Sequence, residues 1–161
     1  MEAGTEMEIG DLAITSFLVN HDPVRPAVGY RFDYRGRSVV VSGDAIVSPG
    51  LIDAATGADL LLQDVLSLPI VKSLESAAEG TRMERIFLDI QDYHAHTSDL
   101  AALVEQSGVS VLALYHLVPP PQNALFAKIF TRDLPEGTVI SEDGMIFALP
   151  AGSDEVNVIA P

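Results

Sequence analysis

The stretch SVVVSGDA, Ser38 to Ala45, decides how the chain is read. Three consecutive valines are β-branched and apolar, so they read as a buried strand. The strand stops in Ser-Gly-Asp, which leaves the carboxylate of Asp44 at its tip. An aspartate after Ser-Gly is either a turn former or a metal ligand. What separates the two is whether neighbouring strands also end in residues able to hold a metal.

The flanking sequence supplies such neighbours. AITSFLVNH, 13–21, alternates loosely and is rich in β-formers, so a strand is expected to end at His21. The proline-punctuated DPVRPAV that follows reads as a loop. GYRFDY and RSVVVSGD read as a hairpin about Arg35-Gly36. Ser48 as N-cap, Pro49 at the first helical position and Gly57 as a stop mark a short helix. DLLLQDVL is a continuous apolar run, fitting a strand buried on both faces. The segment from Pro69 to Tyr93 has helical periodicity, with a break expected at Gly80. TSDLAALVEQSG reads as an amphipathic helix capped by Thr97 or Ser98 and stopped by Gly108. VSVLALYH, 109–116, is a second buried strand, ending in His116. A last helix follows the three prolines. Asp143-Gly144 signals a closing hairpin, and the tail 151–161 reads as loose. Strands and hairpins come first and helix alternates with strand afterwards, so a single α+β domain over 1–161 is expected, with helices against a mixed sheet.

The chain has four histidines: His21, His94, His96 and His116. His21 and His116 end two strands and Asp44 ends a third. Strand ends of a parallel or mixed sheet line up along one edge, so these three can converge. Two imidazoles and a carboxylate suit Zn²⁺, Fe²⁺ or Mn²⁺. His94 lies just before a helix start, where it can reach over the same edge as a general acid or as a donor to a developing oxyanion. Of the pair His94 and His96, only one is expected to face the site.

Composition narrows the function. The 161 residues carry 9 Lys and Arg against 23 Asp and Glu, a net charge of −14. Phosphate backbones are bound largely through Lys and Arg, and no basic stripe exists here, so the charge argues against a nucleic-acid partner and for a small-molecule substrate. No apolar run reaches the roughly 18 residues a membrane span needs. The chain has no cysteine, so any metal must be held by His, Asp or Glu. An acidic N-terminus unlike a signal peptide makes a cytoplasmic location the expectation.

The segments VNHDPVRPAVGYRFDYRGRSVVVSGDA, GADLLLQDVL, DYHAHTSDLAALVEQSGVSVLALYHLVPPP and EDGMIFALP together resemble the C-terminal half of the metallo-β-lactamase superfamily, in its ribonuclease Z-like and arylsulfatase-like branch. The resemblance runs from about Ile9 to Pro150. It implies half of an αββα sandwich, with His21 and His116 each binding one metal and Asp44 bridging both. Ala45 stands where the branch usually has threonine. The resemblance also implies a histidine 22 residues before the last one that assists the chemistry, which is His94, with His96 local to it. Gln63-Asp64 replaces the branch's His-Glu, and Asp64 is expected to orient a histidine. The superfamily's His-x-His-x-Asp-His motif does not occur in these 161 residues. The expectation is therefore a metal-dependent hydrolase half domain, using Zn²⁺ with Mn²⁺ or Fe²⁺ as substitutes, and holding metal weakly or not at all in isolation. Its uncovered apolar face is expected to be met by a second copy or by a partner supplying the missing half. The alternatives are a non-catalytic remnant acting through that face, and an unrelated αβ domain.

Overall fold

The valine strand is β4 (Arg37–Val41), and the pairing of the sheet changes direction there. In the computed structural model, which describes residues 4–161, seven strands form one sheet in chain order. They are β1 (Glu6–Ile9), β2 (Leu12–His21), β3 (Val24–Tyr34), β4, β5 (Leu60–Leu66), β6 (Val111–Val118) and β7 (Val139–Ile140). The first four pair antiparallel. From β4 to β7 the pairing is parallel. A separate antiparallel pair, β8 (Ile146–Ala148) and β9 (Asn157–Ile159), follows. The helices are α1 (Pro49–Ala55), α2 (Leu68–Ala77), α3 (Arg82–Asp89), α4 (Leu100–Ser107) and α5 (Ala124–Thr131).

This arrangement explains the run of apolar residues in β5, which lies between two parallel strands and is covered on both faces. Val40, Leu61, Val65, Leu112 and Leu114 project from one face of the sheet and pack with Leu51 of α1, Ile70 of α2, Leu100 and Leu103 of α4, and Phe130 of α5. The opposite face carries half-buried Tyr30, Phe32, Val39, Val41 and Leu62. Part of it is a hollow of about 280 Å³, where Val41, Leu62 and Tyr115 meet Met145 and Phe147. The result is a mixed sheet with helices on one face. No described helix is long and apolar enough to cross a membrane.

Local signals set several boundaries. Ser48 Oγ accepts the amide of Leu51 at the start of α1, with Pro49 in the first turn. Asn123 Oδ1 accepts the amide of Phe126 at the start of α5. Gly108 ends α4 in the left-handed region at φ 64° and donates its N–H to Val104.

Five expectations need correction. The segment 22–28 is largely strand, not loop: β3 begins at Val24, and Pro26 falls where the ladder with β2 shifts register, so its missing N–H is not needed. Neither Thr97 nor Ser98 caps α4, because a 3-10 turn over Thr97–Asp99 leads into it, Thr97 is buried and the Ser98 hydroxyl donates to Asp99. β6 does not end at His116, since a bulge there lets Leu117 and Val118 rejoin β5. Asp143-Gly144 does not close a hairpin: β7 pairs with the free edge of β6, and β8 pairs with β9. The tail is therefore not loose, and Arg37 Nη2 also holds it through the carbonyl of Glu155 at 3.1 Å.

Candidate metal centre

The sheet directions determine what can meet. Two antiparallel steps make β2 run the same way as β4, and β5 and β6 continue parallel. The C-terminal ends of β2, β4, β5 and β6 therefore share one edge. His21 closes β2, Asp44 follows β4, Asp64 lies near the end of β5, and His116 lies near the end of β6. The segment carrying His94 is tied to the same edge, because the amide of Leu66 donates to the carbonyl of Ala95 at 2.7 Å.

Asp44, His94 and His116 each offer a ligand atom, and these atoms lie within 4.8 Å of one another. Nδ1 of His116 stands 3.7 Å from Oδ1 of Asp44. The rings of His94 and His116 have centroids 5.2 Å apart. His116 reaches this position from the bulge with φ 47°, a left-handed conformation uncommon outside glycine. Asp44 follows Gly43, which adopts φ 69°.

Asp64 organises the buried side of the group. It is fully buried, and its Oδ2 lies 2.7 Å from Nδ1 of His94. Its Oδ1 accepts the amide of Ala45 at 3.0 Å and Nε2 of Gln63 at 2.7 Å. Burial pushes the Asp64 carboxyl above the usual carboxylate range, while the bonds from His94 and Ala45 pull the other way. Because Nδ1 of His94 is engaged by Asp64, Nε2 is the nitrogen left to face Asp44 and His116.

His21 is placed differently from the other three. It lies outside the close group, and its ring meets His94 edge-on at a centroid separation of 5.9 Å. Its Nδ1 is buried without a hydrogen-bond partner among the described residues. The ring of Tyr93 packs against both histidines, 4.7 Å from His21 and 5.0 Å from His94. Open clefts flank the edge here. One of about 420 Å³ is lined by residues 18–21 and 25–27, and another of about 410 Å³ by Asp22, Pro23, Asp89, Asp92 and Tyr93. His96 does not join the group, because its Nε2 is bonded to the carbonyl of Gln91 at 2.9 Å.

Two contributors were given no role by the sequence reading. Tyr93 had a visible signal as an aromatic beside a candidate histidine. Gln63 had a stronger one, being a polar side chain within an apolar strand.

No protein-family model matches the chain. Among curated proteins it is 36% identical over 100 residues to a ribonuclease Z from Mycobacterium avium, a match covering 62% of this chain and 33% of that one. It is 34% identical over 125 residues to a ribonuclease Z from Mycolicibacterium gilvum, covering 73% and 41%. Zinc-bound PqqB from Methylobacterium extorquens superposes with a TM-score of 0.64 at 15% identity, covering 89% of this chain and 53% of that one. The metallo-β-lactamase-fold protein YhfI from Bacillus subtilis gives 0.62 at 18%, covering 89% and 52%. The short form of human tRNase Z gives 0.57 at 17%, covering 89% and 44%. The chain is a partial, ribonuclease Z-like protein of the metallo-β-lactamase fold. It spans a third to two fifths of the length of the two mycobacterial relatives.

This ribonuclease Z-like assignment corrects one expectation. The acidic charge had argued for a small-molecule substrate and against nucleic acid, yet the sequence relatives are named as ribonucleases and a structural neighbour as a tRNase. Net charge sums a whole surface, whereas phosphodiester chemistry needs only a local site able to offset phosphate charge.

Proposed function

We propose that this chain is the portion of a metal-dependent, ribonuclease Z-like hydrolase that carries Asp44, His94 and His116, and that the complete enzyme cleaves a phosphodiester in RNA, with tRNA as the substrate class. The observation supporting this most directly is the convergence of those three ligand atoms within 4.8 Å at one sheet edge. The donors fit a borderline metal such as Zn²⁺: two imidazoles and a carboxylate, with a buried imidazole nitrogen of His21 left unpaired beside them. When bound, the metal supplies charge that offsets a phosphate oxygen and lowers the pKa of a water.

Each of this chain's residues at the edge has its own task. Asp44 and His116 supply ligand atoms from two strand ends, and His94 offers Nε2 between them. Asp64 keeps the His94 proton on Nδ1 and fixes the ring. Tyr93 packs against His21 and His94 and restricts both. With few cations on the chain, its contact with phosphate is concentrated at this edge, so affinity for RNA is expected to fall only shallowly with salt.

The test is cleavage of a tRNA transcript with Zn²⁺ or Mn²⁺, by this chain and by the product of the whole reading frame that encodes it, with metal content measured in parallel. Metal-dependent cleavage lost in Asp44→Ala and His116→Ala is the expected result. Cleavage that persists in a chelator, or a folded product of the whole reading frame with neither metal nor cleavage, refutes the proposal.

A further inference from the structure

Gln63 has no direct place in the ligand group, yet it is fully buried in a strand otherwise made largely of Leu and Val. Burying an amide is unfavourable unless its hydrogen bonds are made. Nε2 of Gln63 donates to Oδ1 of Asp64 at 2.7 Å and to the carbonyl of Ala45 at 3.3 Å. The amide of Ala45 donates to the same carboxylate oxygen at 3.0 Å. Gln63, Asp64 and Ala45 thus form a closed set of hydrogen bonds.

That set touches the candidate centre on two sides. Ala45 directly follows Asp44, so fixing its N–H and C=O fixes the backbone that presents Asp44. The other oxygen of Asp64 holds Nδ1 of His94 at 2.7 Å. Oε1 of Gln63, by contrast, is buried without a partner among the described residues. A side chain needed only to fill this space would be Leu or Met, which strand no acceptor. What this position uses is the Nε2 donor.

We propose that Gln63 is a positioning residue whose amide locks the Asp44–Ala45 backbone to Asp64, so that His94 is held as the Nδ1–H tautomer with Nε2 free. Its consequence for metal binding rests on the hydrolase reading above, whereas the tautomer does not. Asp64 alone could accept from His94. Without Gln63, however, the carboxylate loses a donor at Oδ1 and can turn away from the geometry that serves both Ala45 and His94.

The test is long-range proton–nitrogen NMR of the His94 ring at about pH 8, amide exchange at Ala45, and Zn²⁺ titration of the product of the whole reading frame. These are applied to the native chain, Gln63→Met and Gln63→Glu. The native chain is expected to show one tautomer, protonated at Nδ1. A native Nε2–H tautomer overturns the proposal without any variant. Gln63→Met keeps the volume and loses the donor, so mixed tautomers and about tenfold faster exchange at Ala45 are expected, with Zn²⁺ affinity down about 10–100-fold. Gln63→Glu sets a second carboxylate beside Asp64 and is expected to be worse than Met. A folded Gln63→Met with native tautomer and native exchange overturns the proposal. Failure of RNA cleavage with these NMR results intact refutes the hydrolase reading and leaves the positioning role standing.

Discussion

His116 offers the sharpest test of how the fold builds its site. Its φ of 47° lies in the left-handed region, where Cβ crowds the following carbonyl at a cost of about 1–2 kcal/mol for a residue other than glycine. The bulge responsible aims the ring at Asp44 and His94, so the strain is local and tied to the site. Replacing His116 by Gly removes that strain but adds about 0.5–1 kcal/mol of unfolded-chain entropy. Replacing it by Ala keeps the strain. Both variants lose the same imidazole, and with it a contact to Asp44 at 3.7 Å between side chains 47% and 41% exposed. A pair so exposed contributes little, and the loss is common to both variants. The difference between them therefore isolates the backbone. His116→Gly is expected to be more stable than His116→Ala by roughly 0.5–1 kcal/mol, or about 1–4 °C in Tm for a domain of this size. Urea unfolding should give equal slopes and separated midpoints. Both should lose Zn²⁺ binding equally. If Ala is more stable than Gly by about 0.5–1 kcal/mol, the backbone at 116 is unstrained and the bulge is no device for aiming the ring.

Three further outcomes are expected. Phe130→Ala removes the largest fully buried side chain and should cost about 3–5 kcal/mol in urea unfolding; a loss below about 1 kcal/mol would show that α5 does not seal the core. At Gly43, φ is 69° and an added Cβ would stand 3.0 Å from the carbonyl oxygen of Val28, so Gly43→Ala should cost at least about 1–2 kcal/mol and weaken Zn²⁺ binding through Asp44, whereas unchanged stability would contradict this backbone. Burial pushes the Tyr115 phenol above its ordinary 10.0; a folded-state pKa above the unfolded one means that its stabilisation is full below about pH 10 and lost as pH rises through the folded value. Absorbance titration should show a late tyrosinate component that Tyr115→Phe reduces, the remainder belonging to Tyr93, which burial also raises; a variant that leaves the late component unchanged would contradict the burial.

What could be read in the sequence depended on whether local chemistry or long-range pairing set the outcome. Ser48, Pro49 and Gly108 act within one helical turn, so the helix boundaries they set were visible in the sequence. β5 announced its burial because both of its faces are covered, which removes any need for polar alternation. β1 gave no such signal: EMEI is exposed at every residue and is ordered by pairing with β2 at the sheet edge. Asp143-Gly144 carried a strong turn signal that lost to two better partners, the open edge of β6 and the distant β9. The same division runs through the candidate site. Strand ends suggested His21, Asp44 and His116 as a group, and the geometry draws Asp44 and His116 together with His94 while leaving His21 beside them. That exchange depends on a bulge at His116 and on the buried Asp64 that turns His94 toward the edge. Neither a register shift nor a ring orientation is set by residues adjacent in sequence. The site is thus assembled by sheet register, and a substitution that slips β6 past β5 would scatter it without touching a ligand.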